Sequence, residues 1–141
     1  MNVENILQAK GKKVYTVELN RKVNEIVEIL NAKNIGVVVV VENNKIVGIV
    51  SERDIIRRMR DDGAPVLLMN IKDCMTPDPK TCPSSATLDE VMHIMTDMKI
   101  RHLPIVDDGK LAGLISIGDV VKRKIDLAEG EAAALRDYIS G

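Results

Sequence analysis

The sequence predicts an α/β fold in which one β-α-β-β-α unit is used twice. Three observations carry this. The chain matches itself when shifted by about 65 residues, with apolar positions falling on apolar positions almost throughout. Each half switches between apolar patterns of helical and of strand period. The 141 residues, 45% of them hydrophobic, suffice for one compact body or two very small ones.

Each element follows in order. Val14–Val17 reads as a short strand. Lys22–Asn34 reads as a helix, with Val23, Ile26, Val27 and Leu30 at helical spacing. Val37–Val41 is continuous and β-branched, as a buried strand requires. Asn43-Asn44 turns the chain into a second strand, Ile46–Val50, and a short helix follows Ser51. The segment from Asp61 to Pro65 closes the unit. Val66–Met75 reads as a short linking helix with Leu67, Leu68 and Ile71 inward, and Thr76-Pro77-Asp78-Pro79 breaks it.

The second unit repeats the scheme. Thr87 and Glu90 form a capping box ahead of a stripe of Leu88, Val91, Met92 and Met95. Met92, Met95 and Met98 form a methionine stripe expected in the core. Asp108-Gly109 joins the strands Leu103–Val106 and Leu111–Ile115, and a helix follows Ser116. The charged, Ala-rich tail from Lys122 to Tyr138 reads as a C-terminal helix with Gly130 as its weak point. The organisation is thus 1–63 (first repeat with its lead-in), 64–80 (linker), 81–123 (second repeat) and 124–141 (C-terminal helix). One unit alone cannot bury both its sheet face and its helices, so the halves must pack together.

With the repeat in view, the chain resembles a tandem pair of cystathionine-β-synthase-type (CBS) domains, a Bateman module. The resemblance rests on Gly48-Ile49-Val50-Ser51-Glu52-Arg53-Asp54 and on Gly113-Leu114-Ile115-Ser116-Ile117-Gly118-Asp119. Asp73-Cys74-Met75-Thr76-Pro77 and Arg101-His102-Leu103-Pro104-Ile105-Val106-Asp107 carry it further. It covers nearly the whole chain. It implies two βαββα repeats related by a pseudo-twofold axis and packed through their sheets, and a homodimer.

Ser-x-x-Asp at a helix start is an acidic capping box and needs no ligand to explain it. The same geometry suits a nucleotide. Free backbone N–H groups at a helix start favour phosphate, a serine hydroxyl can donate to it, and a carboxylate accepts from a ribose diol. The resemblance assigns these roles to Ser51 with Asp54 and to Ser116 with Asp119. Arg101 offers a planar fork to phosphate oxygens, and His102 a pH-dependent charge. Their counterparts in the first repeat are Gly36 and Val37, next to Ile35. The resemblance also places Tyr15 and Lys80 at the ligand. Gly118 allows close backbone approach where the first repeat has Arg53, so the Asp119 pocket is expected to be the better formed.

Other chemistries fit less well. Lys plus Arg number 20 and Asp plus Glu 21, a balance without the footprint of nucleic-acid binding. Lys122-Arg123-Lys124 and Arg57-Arg58 are short and surrounded by acids. Cys74, Cys82, His93 and His102 match no zinc spacing, and His93 is expected on the surface. Neither cysteine has a base that spacing would place beside it, so no enzyme is predicted. Two cysteines suggest reduced thiols rather than a disulfide scaffold. The chain start lacks the pattern of a signal peptide, and a soluble, cytoplasmic protein is expected.

The expected function is a regulatory module sensing AMP, ADP or ATP, with NAD(H) or S-adenosylmethionine as other ligands of the family. No membrane or nucleic acid is implied, and the client, unnamed by the sequence, would be regulated in trans. The competing expectation is a structural, partner-binding module that uses no nucleotide and docks through Leu127, Leu135 and Ile139 of the C-terminal helix.

Overall fold

The structure is a computed structural model and describes residues 1–140. An N-terminal helix, α1 (Val3–Lys10), is followed by β1 (Thr16–Glu18), α2 (Val23–Lys33), β2 (Val37–Glu42), β3 (Lys45–Ser51) and α3 (Glu52–Asp62). Two 3-10 turns, Ala64–Leu68 and Ile71–Asp73, and β4 (Thr76–Pro77) lead to α4 (Leu88–Met98), β5 (His102–Asp107), β6 (Lys110–Ser116) and α5 (Ile117–Ser140). The first repeat holds a mixed four-stranded sheet in the order β1-β2-β3-β4, and the second holds the β5-β6 hairpin.

The internal match of the sequence is carried through in backbone detail. Val17 lies opposite Val40 in a parallel pair, and Cys82 opposite Ile105 in the equivalent isolated bridge. The register shifts between Val40 and Val41, and again between Ile105 and Val106. Asn34 and Lys99 end their helices in the left-handed region. Asn43-Asn44 and Asp108-Gly109 both turn with two consecutive positive φ angles, the backbone that a two-residue hairpin needs.

Each repeat has its own aliphatic core. Val23, Ile26, Val38, Val40, Val50, Val66 and Ile71 fill the first; Leu88, Val91, Met95, Leu103, Ile105, Ile115 and Val120 fill the second. Strands β3 and β6 meet where the repeats join. The N-terminal helix, absent from the sequence-based reading, belongs to the second core, where Val3, Ile6 and Leu7 are buried. Backbone bonds from Val3 N to Ala86 O (2.9 Å) and from Glu4 N to Ser84 O (3.0 Å) fix it there. In return, the linker stabilises the first repeat through Val23 N to Met69 O (2.9 Å) and Ile71 N to Arg21 O (3.0 Å). The two lead-in segments are thus exchanged between repeats.

This exchange explains two motif glycines. A Cβ on Gly113 would stand 2.6 Å from Leu7 Cδ2, and one on Gly48 would collide with the Met75 side chain and stand 3.1 Å from Thr76 O. Each glycine makes room for the segment arriving from the other side.

Four expectations need correction. The linker forms two 3-10 turns rather than one helix. Val66 and Ile71 point inward, Leu67 is half-buried, and Leu68 is 73% exposed. A 3-10 turn advances each side chain by a third of a circle, so an inward set read at α-helical spacing does not survive. Val27 on α2 and Met92 on α4 are exposed, each one step beyond the buried stripe. Of the methionine stripe only Met95 is buried, because the repeats need a single narrow apolar face on each helix. Helix α5 runs unbroken through Gly130, where the backbone stays helical.

Candidate functional site

Ser51 ends β3 and caps α3. Its backbone N–H donates to Asp54 Oδ2 (2.8 Å), its hydroxyl donates to the same oxygen (3.0 Å), and Asp54 N–H donates back to Ser51 Oγ (3.2 Å). Ser116 and Asp119 repeat the arrangement, with Ser116 N to Asp119 Oδ2 at 2.9 Å and Asp119 N to Ser116 Oγ at 3.2 Å. Both motifs are therefore working helix caps. The first helical N–H of α3 is also engaged, donating to Gly36 O (2.9 Å), and that of α5 donates to Arg101 O (2.8 Å). Gly36 and Arg101, paired by the repeat, thus hold the strand entries against the helix starts.

A cavity of about 430 Å³ opens over the first motif. Ser51 and Asp54 form one side; Val37, Ile49, Pro77 and Ile100 supply apolar wall; Arg53, Arg57, Lys80, Lys99 and Arg101 supply cations against Glu52, Asp54 and Asp78. The volume falls within the range of small-molecule pockets, and the mix of apolar wall and a few polar groups is their usual lining. Asp54 Oδ1 accepts no hydrogen bond among the described residues, so one carboxylate oxygen is open to a donor.

A second cavity, of about 270 Å³, lies in the equivalent place in the other repeat. It is lined by Lys10, Lys13, Tyr15, Ile35, Leu114 and Ser116. Lys13 and Lys33 approach the Tyr15 ring, with Nζ at 5.0 and 5.8 Å from its centre. Gly36, Val37 and His102 line both cavities, so the two share a wall.

Asp119 is not on that wall. Its Oδ2 is held by Lys10 Nζ at 2.6 Å, and Lys10 also donates to Leu114 O (2.9 Å). Burial pushes the Asp119 carboxyl up, but the Lys10 ammonium and the Ser116 N–H outweigh it and hold it below 3.8. Gly118 also lies outside both cavities. The expectation of a better-formed Asp119 pocket is thus reversed. The larger cavity, with both motif residues on its wall, belongs to Asp54. Lys10 ties up the Asp119 carboxylate, whereas no ion pair holds Asp54 among the described residues.

His102 is half-buried between the cavities. Burial and the nearby Lys10 push its pKa below 6.5, against the opposing pull of Asp119, Asp54 and Glu52. Arg101 and Lys80 face the first cavity, Tyr15 and Ile35 the second. Arg57 and Lys99 were missed by sequence reading, although Arg57 follows Asp54 by one helical turn. Lys10 carried no sequence signal, since its partner is 109 residues away.

The thiols sit apart from this chemistry. Burial pushes Cys82 up to about 11, with Glu90 and Asp107 adding to it, and burial also raises Cys74. Such thiols are weak nucleophiles and weak metal ligands. No three His, Cys, Asp or Glu side chains gather at metal-binding distance among the described residues, and His93 is exposed. No described helix is long and apolar enough to cross a membrane.

The family model for the CBS domain matches twice, over residues 6–61 and 71–126. The chain belongs to the CBS domain family. A CBS-domain containing protein of Agrobacterium tumefaciens has the same fold, with a TM-score of 0.85 at 38% identity over 88% of this chain and 99% of that one. The mitochondrial CBS domain-containing protein CBSX3 of Arabidopsis thaliana is 30% identical over 99% of this chain and 72% of its own length. The CBS domain pair of MJ0100, solved with 5′-methylthioadenosine and S-adenosyl-L-methionine, is 26% identical, with a TM-score of 0.78 over 93% of this chain and 98% of that one. The chain is a CBS pair, and a structural relative of it binds adenosine derivatives.

Proposed function

We propose that this CBS pair is a regulatory sensor of an adenine nucleotide, and that the Asp54 cavity is its principal site. The observation that carries the reading is the wall of that cavity. An open carboxylate oxygen on Asp54 is the acceptor a ribose diol needs, and Ile49, Val37 and Pro77 give a flat base apolar contact. Arg53, Arg57, Lys80 and Arg101 outnumber the acids around them, which favours AMP, ADP, ATP or NAD(H) over the cationic sulfonium of S-adenosylmethionine. The adenosine ligands of MJ0100 support the ligand class.

The phosphate role of the helix start is narrower than the sequence suggests. Ser51 hydroxyl and two N–H groups of α3 already have partners, so the side-chain cations carry most of the phosphate recognition. Because His102, Gly36 and Val37 belong to both cavities, a ligand in one alters the wall of the other. A partner protein reads that change only if the ligand binds the two arrangements with different affinity. We place the working unit as a homodimer acting on a client in trans.

The test is a thermal-shift screen with AMP, ADP, ATP, NAD, NADH, S-adenosylmethionine and GTP, repeated on Asp54→Ala and Asp119→Ala. A ligand at about 100 times its dissociation constant should stabilise by roughly 2.7 kcal/mol. The expected result is a shift with an adenine ligand that Asp54→Ala abolishes and Asp119→Ala keeps. No shift with any ligand favours the partner-binding reading, which the exposed C-terminal helix supports.

A further inference from the structure

From Lys124 onward, helix α5 touches nothing that buries it. Every side chain to Ser140 is exposed. The helix has 24 residues, so it is about 36 Å long, and its last two thirds project from the body. In proteins most of a helix's stability comes from packing an apolar face rather than from propensity.

The exposed helix has such a face. Val121, Ile125, Ala128, Ala132, Leu135 and Ile139 follow one another at alternating spacings of four and three. That is the a/d seam of a coiled coil, with Ile125, Ala132 and Ile139 at a and Val121, Ala128 and Leu135 at d. The large members are open to solvent: Val121 49%, Ile125 51%, Leu135 60% and Ile139 74%. Gly130 and Asp137 fall at the outermost position, where helix contacts ask nothing of them.

We propose that this seam pairs, parallel and in register, with the same helix of a second copy of the chain. Charge decides among the ways two copies can meet. In the parallel arrangement Lys124 faces Glu129 of the partner subunit, and Glu131 faces Arg136 of the partner subunit, so every flanking charged pair attracts and all six seam layers close. An antiparallel pair centred on Gly130 also closes the seam, but sets Glu129 against its own copy, Glu131 against its own copy, and Lys122 against Arg136. An antiparallel pair shifted to match charges leaves Ile139 beyond the partner helix. At the C-terminal end of the seam, Ile139 at a beside Leu135 at d is a combination that favours two parallel strands. Lys124 has a surface bond to Asp89 (2.8 Å), an exposed pair that exchanges readily. This inference is independent of the nucleotide reading.

The experiment is disulfide trapping in the full chain. Leu135→Cys should give a covalent dimer under mild oxidation, because in-register d positions face their own copies. Ala133→Cys, on the outer side, serves as the control and should stay monomeric on a denaturing gel. Glu129→Lys should slow trapping of Leu135→Cys by about fivefold, from lost and reversed charge pairs on both sides of the dimer, and adding Lys124→Glu should restore it. All these side chains lie outside both cores, so the repeats remain folded. Failure of Leu135→Cys to trap faster than Ala133→Cys, or a trapping rate indifferent to Glu129→Lys, overturns the proposal.

Discussion

Lys10 Nζ lies 2.6 Å from Asp119 Oδ2, an ion pair closed across 109 residues of chain. It puts a cation on the carboxylate that the second motif would offer to a ribose. Asp54, its counterpart in the first repeat, has no such ion pair among the described residues.

The first prediction concerns that inequality. Isothermal titration of the wild type with its adenine ligand should give one site per chain, and Lys10→Ala should give two. Both partners are partly exposed, so stability should change by about 1 kcal/mol or less. A single site in Lys10→Ala would show that something other than Lys10 holds Asp119 back.

Asp119 also predicts an acid response. Its folded pKa is below 3.8, so the pair adds stability above that value and loses it as pH falls through the lower folded value. Urea melts at falling pH should show the wild type converging on Lys10→Met. Parallel pH curves for the two proteins would contradict the assignment.

His102 responds at milder pH. Its folded pKa is lowered from 6.5, so the unfolded chain takes the proton first and stability drops as pH falls below about 6.5. A phosphate bound beside His102 pulls the other way and favours the imidazolium. Affinity for a phosphorylated ligand should therefore rise by a few-fold between about pH 8 and 6. NMR titration of His102 with and without ligand checks both signs, and a flat affinity in His102→Asn checks the residue.

The exchanged segments predict a coupling between distant positions. Gly113→Ala should destabilise by about 1–3 kcal/mol, because the fully buried Leu7 has no room to retreat. Adding Leu7→Ala should cost less in that background than in the wild type, a non-additivity read from denaturant midpoints. Additive costs would mean that the glycine matters for another reason.

The linker offers an internal contrast. Ile71→Ala should cost about 2–5 kcal/mol and Leu68→Ala within about 0.5 kcal/mol, since the first is fully buried and the second is open. Equal costs would refute the two 3-10 turns.

Much of this architecture was legible in the residues. The hairpins could be read because Asn43-Asn44 and Asp108-Gly109 are turn dipeptides between β-branched runs, and the structure gives both turns the expected backbone. The motif serines and aspartates could be read because capping is local, confined to one turn of helix. Long-range contacts left no such trace. Nothing near Lys10 points to Asp119, and nothing near Leu7 points to Gly113. The outward turn of Leu68 and Met98 had a different cause: an apolar letter reports what a position tolerates, while burial is decided by which neighbour arrives.

The exchange of lead-in segments has a consequence for how the chain is made. Residues 1–10 are synthesised well before the second repeat, yet the surface that receives α1 is not complete until β6 has formed. At ordinary rates of synthesis that is a wait on the order of ten seconds. During it Val3, Ile6 and Leu7 have no native partner, while the first repeat can close as soon as its linker is made. A segment made early is thus among the last to settle, and it settles by drawing the second repeat shut over itself.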